Sequence, residues 1–290
     1  MSSGSWPGPI ALLQEAWQIY KKRFWTLLGV SLVPLFATLI LALALGLLGI
    51  IGGLIGLANS GFAIAFLVIL IVVLVIAEVL LMAWTQIALL IAIANSPENV
   101  GIKECYRLGR SKIYQFLWIG ILSSLIVFGG LFLLLIPGII FSYWFFFSSM
   151  IIVFENEKGM DALLKSREYA RGHWWGLVGR SLFISIIILV VSAGFGAIGS
   201  GTLGNIATFV LNPLVMVYTY LMYRNAKTLK GEAAISLKGP DKNTFIAIAV
   251  FGIIASIALV AALFVGITAL SNSGILKNLM ESSITGLNGY

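Results

Sequence analysis

The chain alternates long apolar stretches with short segments in which basic and apolar residues recur at helical spacing. A helix needs about 20 apolar residues to cross the roughly 30 Å hydrocarbon layer of a membrane. Seven stretches of 17 to 33 residues are candidates: 24–52, interrupted by Pro34, then 62–94, 113–135, 138–154, 174–196, 206–223 and 245–270. The second, 33 residues long, would measure about 50 Å as one helix. Strong tilt, a protruding end or a break near Glu78 would each accommodate it. The basic cluster Lys21-Lys22-Arg23 lies too far in for a signal peptide, and no small-residue cleavage site follows it, so the first span is expected to be retained.

Short segments ahead of spans one, three and five share a design. Ile10, Leu13, Trp17, Tyr20 and Phe24 fall on one helical face, with Pro9 suited to a first turn. Ile102, Tyr106, Gly109 and Ile113 form a second stripe, with Ser96-Pro97 as its cap and first turn. Leu163, Ser166, Ala170 and Trp174 form a third, beside Asp161, Lys165 and Glu168 at ion-pairing spacing. Each reads as an amphipathic helix suited to the headgroup layer. The span starts repeat too: Phe24–Leu32 and Trp174–Leu182 share five identities in nine positions. Phe116 and Gly120 reproduce the spacing of Trp25 and Gly29 more loosely. Aromatics anchor at the interface, and a small residue one turn deeper admits a neighbouring helix. Three units follow, each an interfacial helix and a transmembrane hairpin. Residues 1–243 are thus expected to form a six-helix core, and 244–290 a seventh span with a short outer tail.

Composition agrees with this pattern. Of 290 residues, 60% are hydrophobic and 10% charged, and the mean hydropathy is +1.05. A soluble domain carries about a quarter charged residues, so soluble enzymes, nucleic-acid binders and disordered regulators are set aside. The net charge of +7 follows from topology. Every Lys and Arg except Lys277 lies before span one, between spans two and three, between four and five with Arg180 just inside span five, or between six and seven. Connections 53–61, 136–137 and 197–205 carry none. Cytoplasmic loops retain Lys and Arg, so the N-terminus is inside, and seven spans put the C-terminus outside. The expected fold is all-α: a polytopic membrane helical bundle of seven transmembrane helices and three short interfacial helices.

From Leu133 to Arg180 the chain reads LLLIPGIIFSYWFFFSSMIIVFENEKGMDALLKSREYARGHWWGLVGR. This resembles a family of uncharacterised integral membrane proteins related to the membrane domain of glycerophosphoryl diester phosphodiesterases. The matching positions are Ile136, Pro137 and Gly138 at a turn, Glu155 ending an aromatic helix, then Gly159, Ala162, Leu163, Ser166, Gly172 and Trp174. Span seven departs from that family's six-helix core. The resemblance implies membrane topology and no catalysis: in fused relatives the phosphodiesterase chemistry belongs to a separate soluble barrel, which this sequence does not contain.

Glu78 is the one ionisable residue deep in a span. It reads either as a proton-, cation- or substrate-coupling group, or as a carboxyl that is protonated and hydrogen-bonded or placed near the outer headgroups. Thr85, Gln86, Asn205 and Asn212-Pro213 are the other polar features in or beside spans. They line a cavity in one reading and join helices in the other. Glu78, Gln86 and Asn212 therefore make up the candidate intramembrane site. Lys21, Lys22, Arg23, Arg107, Arg110, Arg167 and Arg171 are the candidate contacts to lipid or a partner. His173, Ser166 and the single Cys105 suggest no metal site, activated nucleophile or disulfide. No catalytic residue, metal or cofactor is expected. The expected function is that of a non-catalytic membrane protein of the plasma or inner membrane. Its expected partners are anionic lipids, another protein or a second copy of itself, and not nucleic acid. The alternative is a small-molecule or lipid transporter using Glu78 in a central cavity.

Overall fold

A computed structural model describes residues 6–56, 60–95, 100–133, 135–231 and 240–272. Its helices are α1 (Pro9–Lys22), α2 (Phe24–Gly56), α3 (Ser60–Ala94), α4 (Ile102–Gly109), α5 (Ile113–Leu133), α6 (Leu135–Trp144), α7 (Ser148–Glu155), α8 (Gly159–Ala170), α9 (Trp174–Ile198), α10 (Ser200–Lys230) and α11 (Pro240–Asn272). A 3₁₀ turn at Arg110–Lys112 joins α4 to α5. Among the described residues there is no strand, and seven helical segments are long and apolar enough to cross a membrane. Large apolar side chains stay bare on the long helices, among them Leu43 (63% exposed), Ile69 (64%), Leu189 (67%) and Val260 (66%). Soluble monomers do not expose apolar surface on this scale. The protein is a multi-pass membrane protein.

Several boundaries differ from the sequence reading. The long second span is one unbroken helix with Glu78 near its middle, so the expected alternative of a break there is removed. The fourth span is two helices instead, parted at Phe145–Phe147. Ser166 of α8 sits in that gap: its hydroxyl donates to the Trp144 carbonyl at 2.7 Å and accepts from the Phe147 amide at 3.1 Å. It thereby replaces bonds that the interrupted ladder cannot make. Ile136 and Pro137, expected as a connection, lie in the first turn of α6, where a missing N–H breaks no helical bond. The expected connection 197–205 shrinks to Gly199 between α9 and α10. The cap expected at Ser96-Pro97 and the residues Lys238 and Lys277 lie outside the described residues.

Two prolines sit inside long helices. Pro34 in α2 has no N–H to give the Val30 carbonyl, four residues back. The Tyr106 hydroxyl of α4 donates to that carbonyl at 3.0 Å. Pro213 loosens α10 in the same way, and the Tyr20 hydroxyl of α1 donates to the Val210 carbonyl in that turn at 2.7 Å. Tyr20 and Tyr106 are both buried. At Pro34 the freed carbonyl thus gains a tyrosine donor from a short helix, while at Pro213 the tyrosine bonds Val210, next to the freed Phe209 carbonyl.

The chain forms two compact units, residues 1–121 with 143–237, and 122–142 with 238–290. The seventh helix therefore groups with the end of α5 and most of α6, where the sequence reading set residues 244–290 apart. In this second unit α5 and α11 meet backbone to backbone. A Cβ on Gly252 would lie 2.2 Å from the Leu125 carbonyl oxygen, and one on Gly129 2.5 Å from that of Ile248. In the first unit the core lies where the short helices pack on the long ones. Leu12 and Ala16 of α1, Ile87–Ile93 of α3, Leu163 and Tyr169 of α8, and Val217–Met222 of α10 supply much of it. Of the expected stripe Ile10, Leu13, Trp17, Tyr20 and Phe24, Tyr20 is buried against the protein together with Leu12 and Ala16, and Ile10 and Trp17 are not. Ile10 is 62% and Trp17 42% exposed. At the span-start glycines, a Cβ on Gly29 would meet the Ile102 side chain, whereas one on Gly120 or Gly179 would meet nothing within 4 Å.

Candidate functional site

One cavity is lined from both proline turns and from α3. Ser31, Pro34, Leu35 and Thr38 of α2, Met82, Thr85, Gln86 and Leu89 of α3, and Phe209 and Asn212 of α10 line a cavity of about 350 Å³. That is near the lower end of small-molecule sites. Gln86 and Asn212, chosen from sequence, thus share one cavity. Both side-chain amides are without a hydrogen bond among the described residues and offer donors and acceptors to the space between them. Glu78 does not line the cavity, but its Oε2 accepts from the Thr38 hydroxyl at 3.2 Å, and Thr38 does line it. Its other oxygen, Oε1, is buried without a partner. The sequence suggested no partner for Glu78, because Thr38 is a single hydroxyl forty positions away in an otherwise apolar run. Thr85 donates to the Leu81 carbonyl and lies 3.0 Å from the Tyr106 hydroxyl, which ties the cavity wall to the proline bridge of α2. The lining itself carries no ionised group, so it suits neutral hydrogen-bonding molecules with an apolar part.

The basic residues divide into two groups. Arg23 is 3% exposed. Its guanidinium donates to the Asn95 carbonyl at 2.8 Å and the Val100 carbonyl at 2.5 Å. The end of α3 carries free carbonyls and the negative pole of the helix dipole, and Arg23 satisfies both. This corrects its assignment as a lipid contact: the cation faces inward because α3 ends beside it. Lys112 treats α7 alike, donating to the Val153 carbonyl and to Asn156 Oδ1 at 2.7 Å. Arg167 lies over the Trp144 ring, 4.8 Å from its centroid. By contrast, Lys21, Lys22, Arg107, Arg110 and Arg171 are exposed. Arg107 and Arg171 hold only adjacent-turn partners, Glu104 at 2.7 Å and Glu168 at 3.5 Å.

Among the described residues Glu155 is the best-connected carboxylate, its side chain 4% exposed. It lies 2.7 Å from Lys165 Nζ and 3.7 Å from Lys227 Nζ, and it accepts from the Tyr169 and Tyr223 hydroxyls. This network joins α7, α8 and α10. Burial pushes Lys165 toward a lower pKa, but its bonds to Glu155 and Glu157 outweigh that and hold it above its usual value. Sequence spacing paired Lys165 with Asp161 and Glu168; the long-range partner Glu155 is visible only once α8 folds back on α7.

Compared with family models, curated proteins and solved structures, the chain matches none of them.

Proposed function

We propose that this chain is a non-catalytic multi-pass protein of the plasma or inner membrane, with its N-terminus inside, that acts by holding anionic lipids or partner proteins at the cytoplasmic surface. The observation that carries the reading is the pairing of exposed cations with exposed aromatics within four residues of them in the chain. Lys21 and Lys22 stand between Trp17 (42% exposed) and Trp25 (79%); Arg110 precedes Tyr114 (77%); Arg171 precedes Trp175 (79%). Aromatics of this kind settle at the headgroup level, and each nearby Lys or Arg gains about 1 kcal/mol from an anionic leaflet. The likeness of Leu133–Arg180 to the membrane domain of glycerophosphoryl diester phosphodiesterases, and the threefold design of the chain, belong to the same proposal. They speak for membrane architecture rather than phosphodiester chemistry.

The test is native mass spectrometry of the full chain extracted from mixed phosphatidylglycerol and phosphatidylcholine nanodiscs. Preferential retention of phosphatidylglycerol, reduced when Lys21, Lys22, Arg107, Arg110 and Arg171 are all changed to Gln, is the expected result. Equal retention of the two lipids would sink the anionic-lipid reading.

The cavity favours a second reading, transport of a small neutral amphiphile coupled to Glu78 through Thr38. Glu78→Gln should then abolish flux in proteoliposomes; unchanged flux removes the carboxyl from the mechanism.

A further inference from the structure

The cavity lined by α2, α3 and α10 has a depth as well as a lining. Trp25, at the start of α2, is 79% exposed, and aromatics of this kind mark the edge of the hydrocarbon layer. Counted along the helix from there, Ser31 lies about 9 Å in and Thr38 about 20 Å. Met82 stands twelve residues before the end of α3 at Ala94, and Asn212 twelve residues before Arg224, the first cation of α10; each interval is about 18 Å. The three helices thus agree on a cavity around the middle of a layer about 30 Å thick. At that depth an exposed side chain faces hydrocarbon. Leu35 (49% exposed), Met82 (52%) and Asn212 are exposed, so the cavity opens sideways into the bilayer.

Gln86 and Asn212, whose amides hold no hydrogen bond among the described residues, line it at this level. Polar groups left unpaired in hydrocarbon are costly, and no bulk water reaches them there. The complement is a molecule that dissolves in the bilayer and brings the missing partners. Each amide has two N–H donors and one acceptor oxygen. Thr38 donates its proton to Glu78 and has only its oxygen to offer. Donors outnumber acceptors, which suits a headgroup of several acceptors and one donor. None of the described lining residues is ionisable, and an unpaired ion at mid-membrane is strongly disfavoured, so the headgroup is uncharged. A glycerolipid without a phosphate has this composition: two ester carbonyls, one hydroxyl and apolar chains. A volume of about 350 Å³ takes its glycerol end, and the chains pass out by Leu35 and Met82.

We propose that the cavity is a site for the glycerol end of an uncharged, membrane-resident lipid of the diacylglycerol class, which enters sideways from the bilayer and is held by Gln86 and Asn212. The site rests on the second reading above, of a neutral amphiphile in the cavity, and names that amphiphile. It is independent of the anionic lipids held by the exposed cations.

The experiment places the full chain in phosphatidylcholine nanodiscs with a diacylglycerol that carries a photoreactive diazirine on one chain. Irradiation should attach the probe around the cavity mouth, at Leu35, Met82 or Phe209, as mapped by peptide mass spectrometry. Unlabelled diacylglycerol should compete, whereas phosphatidylglycerol and free glycerol should not. A long-chain alcohol, with a hydroxyl and no carbonyl, should compete about tenfold more weakly. Gln86→Leu and Asn212→Leu should each raise the probe concentration for half-maximal labelling by about fivefold, and the double variant by about twentyfold. The competition arms decide the matter even if a variant fails to fold.

A wild type that is not labelled at the cavity overturns the site, and so does a folded double variant labelled like wild type. Equal competition by phosphatidylglycerol or by the alcohol overturns the diacylglycerol assignment, and displacement by millimolar glycerol overturns entry from the bilayer. Transport fails separately: unchanged flux in Glu78→Gln with labelling intact removes coupled transport and keeps the site. Flux of a neutral amphiphile without labelling removes the site and keeps transport.

Discussion

The Tyr106 hydroxyl donates to the Val30 carbonyl at 3.0 Å, the carbonyl that Pro34 leaves without its helical donor. The short helix α4 thus completes the hydrogen bonding of the long apolar helix α2, and the same turn walls the cavity. Tyr106→Phe should leave that carbonyl unpaired and lower stability by about 1–3 kcal/mol. Thermal unfolding in detergent measures it. A melting temperature equal to wild type would show that the bridge contributes nothing.

Lys21, Lys22 and Arg23 are adjacent but not equivalent. The first two are exposed, whereas Arg23 is 3% exposed and caps the end of α3. Arg23→Gln should destabilise the fold by about 2 kcal/mol, since hydrogen bonds from a buried charged donor to half-buried carbonyls are lost. Lys21→Gln and Lys22→Gln should each change stability by less than about 0.5 kcal/mol. Equal melting shifts across the three variants would contradict the division.

Gly129 and Gly252 set the crossing of α5 and α11. A Cβ at Gly252 would meet the Leu125 carbonyl oxygen at 2.2 Å, against nothing within 4 Å at Gly46. Gly252→Val should force the helices apart and lose close packing, the main attraction between helices in lipid. Gly46→Val serves as the matched control. The readout is disulfide trapping between cysteines introduced on α5 and α11; trapping that survives Gly252→Val would refute the tight crossing.

The Lys165–Glu155 pair yields a pH signature. Lys165 is held above its ordinary value of 10.5, so its contribution is complete below that pH and is lost as pH rises through the folded value. Lys165→Met should destabilise the protein by about 3 kcal/mol near neutrality, because it leaves a buried carboxylate with fewer partners. The gap in melting temperature between wild type and variant should then close in the alkaline range. A gap that stays constant to strongly alkaline pH would show that the loss is one of packing.

Much of the architecture was legible before any coordinates. Seven apolar runs become seven spanning segments because backbone groups in lipid must be satisfied within each segment, which leaves the helix as the local solution. The short helices ahead of Phe24, Ile113 and Trp174 were legible for a related reason: apolar residues at helical spacing beside basic ones suit an interface. Gln86 and Asn212 could be chosen as a polar pair because such groups stand out against an apolar run.

What the sequence by itself determined, then, is which segments span and which polar residues they carry. Tertiary structure decided how those residues are used. Periodicity placed Tyr20 on one stripe with Ile10 and Trp17, but packing buried it with Leu12 and Ala16 and left the other two exposed. Charge counting treated Arg23 as one more surface cation, but the end of α3 beside it drew it inward. Glu78 had no partner in its own helix, and Thr38 reached it from α2. Each outcome depends on a neighbour distant in sequence, and neither hydropathy nor local spacing carries information about such neighbours. A half-buried charge or a loosened proline turn is satisfied by whichever group the packing of the other helices brings within hydrogen-bonding distance.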